Sequence, residues 1–163
     1  MRNVDCVLMQ SVGDGRCYKK VLLPPDDPIF TSPVLPVTEK FGYPLVMRRM
    51  QNRLARGVDT DNQHATWLNI NPITGWAPDI WQHSVGSVIV AHPNKVPLKV
   101  ARLAAVVDYV SDILDDFGEW GPEYVARKYY GPNGRRRLDK FLIEHERMQE
   151  AYEETFAAMR SGS

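Results

Sequence analysis

The spacing of apolar residues changes once along this chain, and that change constrains the fold more than any other feature. Up to Ala91 the apolar residues form short β-type runs, whereas from Leu98 onward they recur every three or four residues, as on one face of a helix. Strands first and helices last predict an α+β fold with an antiparallel sheet of about four strands covered by C-terminal helices. The length of 163 residues suits a single domain over 1–163, with strands and a loop in 1–96 and helices in 97–159.

Five short segments carry the strand pattern. They cover residues 4–9, 17–23, 43–50, 65–70 and 86–91. The first two flank an Asp-Gly pair at 14–15, which favours a type I′ hairpin turn. With that turn Cys6 faces Leu23, so Cys6 and Cys17 are too far out of register to bridge and are predicted to be free thiols.

Half of the prolines are concentrated in one stretch of the chain. Six of the 12 fall within residues 24–44. Because proline lacks a backbone donor, we predict neither a central strand nor a helix there. Apolar residues such as Ile29, Phe30 and Leu35 favour an extended loop that packs on the domain over a disordered linker. The polar residues 51–62 are predicted to form a second loop.

Three helices are predicted after Leu98. The first covers residues 98–117 and ends at Gly118, a natural C-terminal stop. The second begins at Pro122 and ends before Gly131. The last extends to residue 159 and carries a stripe spaced alternately by three and four residues: Leu138, Phe141, His145, Met148, Tyr152, Thr155 and Met159.

That last helix has two possible roles. It is about three heptads long, and it either caps the sheet or pairs with a second copy of the chain. A homodimer therefore remains an open alternative. His145 lies on the apolar stripe, where we interpret it as a core histidine with its hydrogen bonds satisfied rather than as a ligand.

Three of the four tryptophans cluster in the middle of the chain. Trp67, Trp76 and Trp81 lie within 15 residues, and we predict that they bind an apolar small-molecule substrate. Asp79 and His83 are four residues apart on a helical turn that begins at Pro78. They are the predicted catalytic pair, because Asp79 could orient and charge His83 for proton transfer. The alternative is that the tryptophans belong to the core and Asp79–His83 is a surface pair.

Acidic residues crowd the end of the first long helix: Asp108, Asp112, Asp115, Asp116 and Glu119. Residues 115–119 have the D-D-x-x-E form with which class I terpene synthases hold magnesium, but the chain has no second metal motif. We therefore predict a solvated acidic face without a metal. Arg127, Lys128 or the arginines at 135–137 are expected to neutralise these carboxylates, which the helix dipole disfavours at a C-terminus.

The charge balance excludes broad classes of partner. Lys+Arg and Asp+Glu both number 20, which argues against a general nucleic-acid binder, and the triplet at 135–137 is weak evidence by itself. No apolar run is long enough to span a membrane, and the charged N-terminus does not resemble a signal peptide. These features predict a cytoplasmic protein. The familiar nucleotide, hydrolase and metalloprotease motifs are absent, so no cofactor is expected.

The central region resembles a group of intracellular proteins of filamentous fungi. The resemblance lies in N-Q-x-A-T-x-L-x-I-x-P over 62–72, G-x-A-P-x-x-W-Q over 75–82 and V-G-x-V-x-V-A over 85–91. It covers about a third of the chain, roughly from 62 to 117. The resemblance implies a fungal source and suggests a place in specialised metabolism, and it transfers no catalytic residue.

Two functions of different classes follow from these patterns. The first is a cofactor-free enzyme of a fungal specialised-metabolite pathway: a cyclase, isomerase or lyase that orients an apolar substrate in an aromatic-lined pocket, with pericyclic closure among the possible reactions. The second is a non-catalytic interaction module that uses the proline-rich loop and the C-terminal helix as contact surfaces. A closed pocket at the tryptophans favours the enzyme, and a flat surface there favours the module.

Overall fold

Four strands form one antiparallel sheet. The computed structural model of the chain describes residues 2–10, 17–50 and 61–161. The strands are β1 (Val4–Met9), β2 (Tyr18–Leu23), β3 (Val46–Arg49) and β4 (Val88–Ala91). Their order across the sheet is β2-β1-β4-β3, and every neighbouring pair is antiparallel. The predicted antiparallel sheet is therefore confirmed.

Most of the helical structure follows the sheet. The α-helices are α1 (Pro36–Phe41), α2 (Gln63–Leu68), α3 (Val100–Trp120), α4 (Pro122–Tyr129) and α5 (Gly134–Ser161). The last three follow β4, so the predicted α+β class with C-terminal helices is confirmed. Among the described helices, none combines the length and apolar character that a membrane span requires.

The sheet has an apolar core on both faces, because successive strand residues point to opposite sides. Val7 of β1 and Val90 of β4 belong to the larger core, which they share with α2, α3, α4 and α5. Cys6 and Ile89 point the other way and pack in a smaller core with Phe30. The proline-rich segment thus packs on the sheet, as predicted.

That segment nevertheless contains helical structure, so the prediction of no helix between 24 and 44 is wrong. A 3₁₀ turn covers Pro28–Thr31, and α1 begins at Pro36. In both cases the proline occupies the start of the helix, where its missing N–H costs no hydrogen bond. Gly42, with φ of 98°, ends α1 in the left-handed conformation that glycine adopts most easily.

The predicted strand over residues 65–70 is also wrong, since α2 occupies Gln63–Leu68. Asn62 explains the difference, because its side-chain oxygen accepts a hydrogen bond from the Ala65 N–H at 3.2 Å and caps the helix. Ala65 and Leu68, three residues apart, are the buried positions of α2. The predicted loop over 51–62 lies mostly outside the described residues.

The end of the first long helix also differs from expectation. The first long helix continues through Gly118 to Trp120 and ends at Gly121, whose φ is 86°. Pro122 then starts α4 directly, as predicted for the second helix. A single exposed glycine costs a helix only about 1 kcal/mol, so Gly118 does not stop it.

The hairpin register is shifted from the prediction. Cys6 pairs with Val21 rather than with Leu23, while the predicted turn at 14–15 lies outside the described residues. Cys6 and Cys17 are free, as expected. Burial raises the pKa of the Cys6 thiol to about 11, so this cysteine stays protonated and inert at neutral pH.

Candidate functional site

Asn71 organises the loop that carries Trp76. Its side-chain oxygen accepts hydrogen bonds from the N–H groups of Ile73 at 2.8 Å and Thr74 at 3.2 Å. Its backbone N–H donates to the Trp76 carbonyl, and its carbonyl accepts from the Gly75 N–H, both at 2.8 Å. These bonds hold the loop in a defined shape and present Ile73 and Trp76 at its surface.

An open groove lies beside this loop. It has a volume of about 300 Å³ and is lined by Pro36, Asn69, Asn71, Thr74, Trp76, Ala77 and Pro78. The Trp76 side chain is 73% exposed. Small-molecule sites usually bury most of the ligand, so this shallow groove does not have the enclosed form expected of a catalytic pocket.

The other two predicted substrate-binding tryptophans lie elsewhere. Trp67 of α2 is half-buried against the larger core, with its ring centroid 5.1 Å from that of His64. Trp81 also packs against this core, and the guanidinium carbon of Arg49 lies 4.8 Å from its ring centroid. Of the three tryptophans, only Trp76 lines the groove.

The predicted catalytic pair, Asp79 and His83, is on the surface. Asp79 begins the 3₁₀ turn Asp79–Trp81, and both side chains are exposed. In the part of the chain that the structure describes, no hydrogen bond joins them, and neither lines the groove beside Trp76. Their catalytic role stays a prediction.

Substitution of the tryptophans separates surface from core. Trp76→Ala is expected to change the free energy of unfolding by less than about 0.5 kcal/mol, because the side chain is exposed. Trp67→Ala is expected to lower it by about 2 kcal/mol or more, because its ring packs on the core. Urea unfolding measures both values. A Trp76→Ala variant that unfolds would place this residue in the core instead.

One carboxylate at the acidic end of α3, that of Asp116, is neutralised by α4. Asp116 accepts hydrogen bonds from Lys128 at 2.9 Å and Tyr129 at 2.5 Å. Burial tends to raise the pKa of Asp116, but these hydrogen bonds outweigh it and hold the pKa below its usual value. The predicted neutralisation by Lys128 is confirmed for Asp116. Among the described residues, no group of acidic, histidine or cysteine side chains is arranged to hold a metal ion.

The C-terminal helix reaches beyond the body of the protein. Glu146 of α5 accepts hydrogen bonds from Arg102, near the start of α3, one of them at 3.1 Å. Beyond this contact α5 continues to Ser161, and we call residues 147–161 the α5 extension. After Glu150, the described side chains are all exposed: Ala151, Tyr152, Glu154, Thr155, Ala158 and Met159.

The α5 extension keeps the apolar stripe predicted from the sequence. Its 3-4 spacing assigns Met148 and Thr155 to heptad position d and Tyr152 and Met159 to position a. The side chains of Met148, Tyr152 and Met159 are 66%, 69% and 69% exposed. We call these four residues the α5 seam. Their exposure makes the seam an apolar stripe at the surface of α5.

The surroundings of the α5 seam are uncharged. The flanking e and g positions with described side chains hold Gln149, Ala151 and Ala158. The described charged residues, Arg147, Glu150 and Glu154, fall at positions b, c or f, on the other side of the helix. An uncharged stripe backed by a charged face is the pattern of a helix that pairs with another helix.

The same stripe is buried where α5 packs on α3. Leu138 is fully buried, and Phe141 packs its ring 4.9 Å from that of Tyr109. His145 stacks on Phe141 at 3.8 Å between ring centroids. Its Nδ1 atom is buried without a hydrogen-bond partner among the described residues, so the prediction of a fully satisfied core histidine is not met.

Neither a protein-family model, nor a curated protein, nor a solved structure matches this chain. The fold therefore defines its class only as α+β, and its function must be inferred from the geometry of its own surfaces.

Proposed function

We propose that this protein is a non-catalytic, homodimeric interaction module that assembles through its α5 extension. The observation that carries this proposal is the exposed α5 seam, an apolar stripe on a helix that projects from the protein body. Large apolar side chains exposed in one stripe are typical of protein–protein contact sites.

The physical need for a partner comes from the helix itself. Most helices in proteins are stabilised by packing an apolar face, and isolated helices shorter than about 12–15 residues are marginal in water. The described side chains of residues 151, 152, 154, 155, 158 and 159 are all exposed, so these side chains bury little apolar surface against the body. A second helix packed on the α5 seam would supply that stabilisation.

A second copy of the chain fits this role in an antiparallel arrangement. In antiparallel coiled coils, heptad position a of one helix faces heptad position d of the other helix. This places Tyr152 opposite the partner's Thr155, and Met148 opposite the partner's Met159. Each layer then combines a large with a smaller residue or two flexible methionines, whereas parallel pairing would stack Tyr152 on its own copy.

The charge pattern and the length of the helix also favour self-pairing. Because the described a, d, e and g residues are uncharged, two identical helices meet without like-charge repulsion. Antiparallel overlap brings the end of each α5 towards the place where the partner helix leaves its body. An open depression of about 270 Å³ lies there, lined in part by Lys99, whose charge suits a helix C-terminus.

The small area of the proposed contact favours a weak dimer. The paired seams and their flanking residues would bury on the order of 1,000 Å² in total, near the lower limit for a specific interface. We therefore expect a micromolar dimer rather than an obligate one. Association of that strength suits a module whose assembly depends on its concentration.

The enzyme hypothesis has less support. A fungal cyclase, isomerase or lyase acting without a cofactor would need an enclosed site, and the groove beside Trp76 is open. Asp79 and His83 lie outside that groove. This function, including its apolar substrate, stays a prediction from the sequence.

Light scattering tests the proposed dimer. Between about 5 and 200 µM, we expect the weight-average mass to rise from 18.6 kDa towards twice that value, because mass action favours the dimer at the higher concentrations. A mass of 18.6 kDa at every concentration would contradict the proposal.

A further inference from the structure

A basic cleft lies at the junction of α4 and α5, far along α5 from the extension. One depression of about 330 Å³ is lined by Tyr124, Arg127, Lys128 and Arg137. A second, of about 410 Å³, is lined by Asn133, Arg136, Arg137, Lys140, Phe141 and Glu144. Because Arg137 lines both, the two depressions adjoin, and we call them together the basic cleft, which has five cationic side chains.

Most cations of this cleft have no ion-pair partner among the described residues, although Arg137 is near enough to Asp116 to help lower the pKa of that carboxyl. Lys128 pairs with Asp116 at 2.9 Å. The other four cations of the cleft are Arg127, Arg136, Arg137 and Lys140, and none forms an ion pair within 4 Å of a described carboxylate. A chain with zero net charge therefore concentrates unpaired positive charge in one place.

The position of these arginines is unfavourable for the helix alone. The first turn of α5 contains no acidic residue, and residues 135–137 are all arginine. Positive charges near a helix N-terminus destabilise the helix, because they interact unfavourably with the positive end of its dipole. A bound anion in the cleft would remove this conflict, since it would compensate both the arginines and the dipole.

Two aromatic side chains, Trp120 and Tyr124, form a platform at the edge of the basic cleft. Trp120, the fourth tryptophan, ends α3 and is 60% exposed. Its ring lies 5.6 Å from that of Tyr124, and the Lys128 ammonium lies 5.6 Å from the Tyr124 ring. Aromatic rings beside a basic groove are the combination with which proteins stack bases and hold a phosphate backbone.

We propose that this cleft binds single-stranded nucleic acid, with phosphates on Arg127, Arg136, Arg137 and Lys140 and a base on Trp120. Two open depressions in series suit a chain that enters and leaves, whereas a free nucleotide is usually enclosed by its site. The sequence predicted no nucleic-acid partner because the chain is neutral and neither an aromatic-rich RNA motif nor zinc-finger spacing accompanies the arginine triplet. The fold supplies both missing features, since it segregates the charge and brings Trp120 and Tyr124 beside it.

Glu119, Glu123 and Glu144 lie close to the cleft in sequence or line it, and they limit its affinity. We therefore expect micromolar binding at low salt. Three or four phosphate contacts predict a slope of about −2 to −3 in a plot of log affinity against log salt concentration.

Fluorescence anisotropy with a labelled 12-nucleotide oligouridylate, at 25–100 mM salt, tests this proposal. The double substitution Arg136→Ala, Arg137→Ala is expected to weaken binding at least tenfold. Trp120→Ala is expected to weaken it about five- to tenfold through lost stacking. The control Lys19→Ala, Lys20→Ala removes two exposed cations from β2 and should change affinity less than twofold. Circular dichroism verifies that each variant is folded.

Three results would overturn the proposal. One is no binding of the oligouridylate at 100 µM protein. Another is wild-type affinity in the arginine double variant. The third is competition by inorganic phosphate, by uridine triphosphate or by a 12-base-pair duplex at the same concentration as the single strand, which would assign the cleft to phosphate alone. None of these depends on dimerisation, because Arg136 and Arg137 lie at the opposite end of α5 from the seam.

Discussion

Tyr152→Glu is expected to convert the dimer into a monomer of 18.6 kDa. Tyr152 is the large aromatic side chain of the α5 seam, and aromatic residues at the centre of an interface often carry most of its binding energy. Glutamate at this position would also bring an unpaired charge into an apolar contact on both copies. We expect the dissociation constant to rise at least a hundredfold, as measured by sedimentation equilibrium at 100 µM.

A matched control separates the seam from the helix. Glu154→Gln changes a charge two residues away, on the other side of α5, and should leave the dissociation constant within about twofold. Both variants should keep the stability of the protein body, since the described side chains beyond Glu150 are exposed. A Tyr152→Glu variant that dimerises like the wild type would show that the seam is not the interface.

Asn62→Ala is expected to cost about 3–4 kcal/mol of the free energy of unfolding. Asn62 is buried, and its amide nitrogen donates to the Met9 carbonyl at 3.2 Å and the Gly86 carbonyl at 2.9 Å. Its oxygen accepts from the Ala65 N–H. Alanine removes the helix cap and leaves two buried carbonyls without this donor, and urea unfolding measures the loss.

A second asparagine provides the comparison. Asn71 also accepts two backbone hydrogen bonds, but it is exposed and water can replace it. Asn71→Ala should therefore cost about 1 kcal/mol or less. If Asn62→Ala costs no more than Asn71→Ala, then Asn62 does not join α2 to the sheet in the way the structure indicates.

The sheet and the last helices could be predicted because their signals are local. β1 and α4 follow from short stretches whose apolar spacing or proline position has one natural interpretation. The spacing that begins at Leu138 also predicted the stripe of α5 through Met159. The spacing alone could not show how far α3 extends along α5. It therefore could not show which part of the α5 stripe is buried and which part is exposed.

The errors arise where a distant contact decides the local structure. Residues 65–70 have strand-like composition, but Asn62 caps a helix there and is itself held by Met9 and Gly86. Proline inside a helix breaks it, which is why the sequence predicts no helix around Pro28 and Pro36. In the structure, both prolines occupy the first position of a helix. A proline's effect depends on its position in the element, and the sequence alone does not specify that position.

The candidate functional residues show the same difference between local signals, which the sequence reveals, and distant contacts, which it does not. The tryptophan cluster is close in sequence, yet Trp67 and Trp81 pack on the core and only Trp76 lines the groove. Tyr124 and Arg137, by contrast, are distant in sequence, and the packing of α4 against α5 places them in one depression. Proximity in sequence therefore did not predict which of these side chains share a groove or depression in the fold.

Disulfide trapping tests the antiparallel dimer most directly. The single variants Met148→Cys and Met159→Cys are prepared in a Cys17→Ser background, with the inert Cys6 retained, and are oxidised separately and as an equimolar mixture. In the antiparallel dimer, Met148 faces the partner's Met159, while the two copies of residue 148 lie about 16 Å apart along the helices, too far to bridge. We predict covalent dimers in the mixture and none with either variant alone. Cross-linking of Met148→Cys with itself, or no cross-linking in the mixture, would contradict this account.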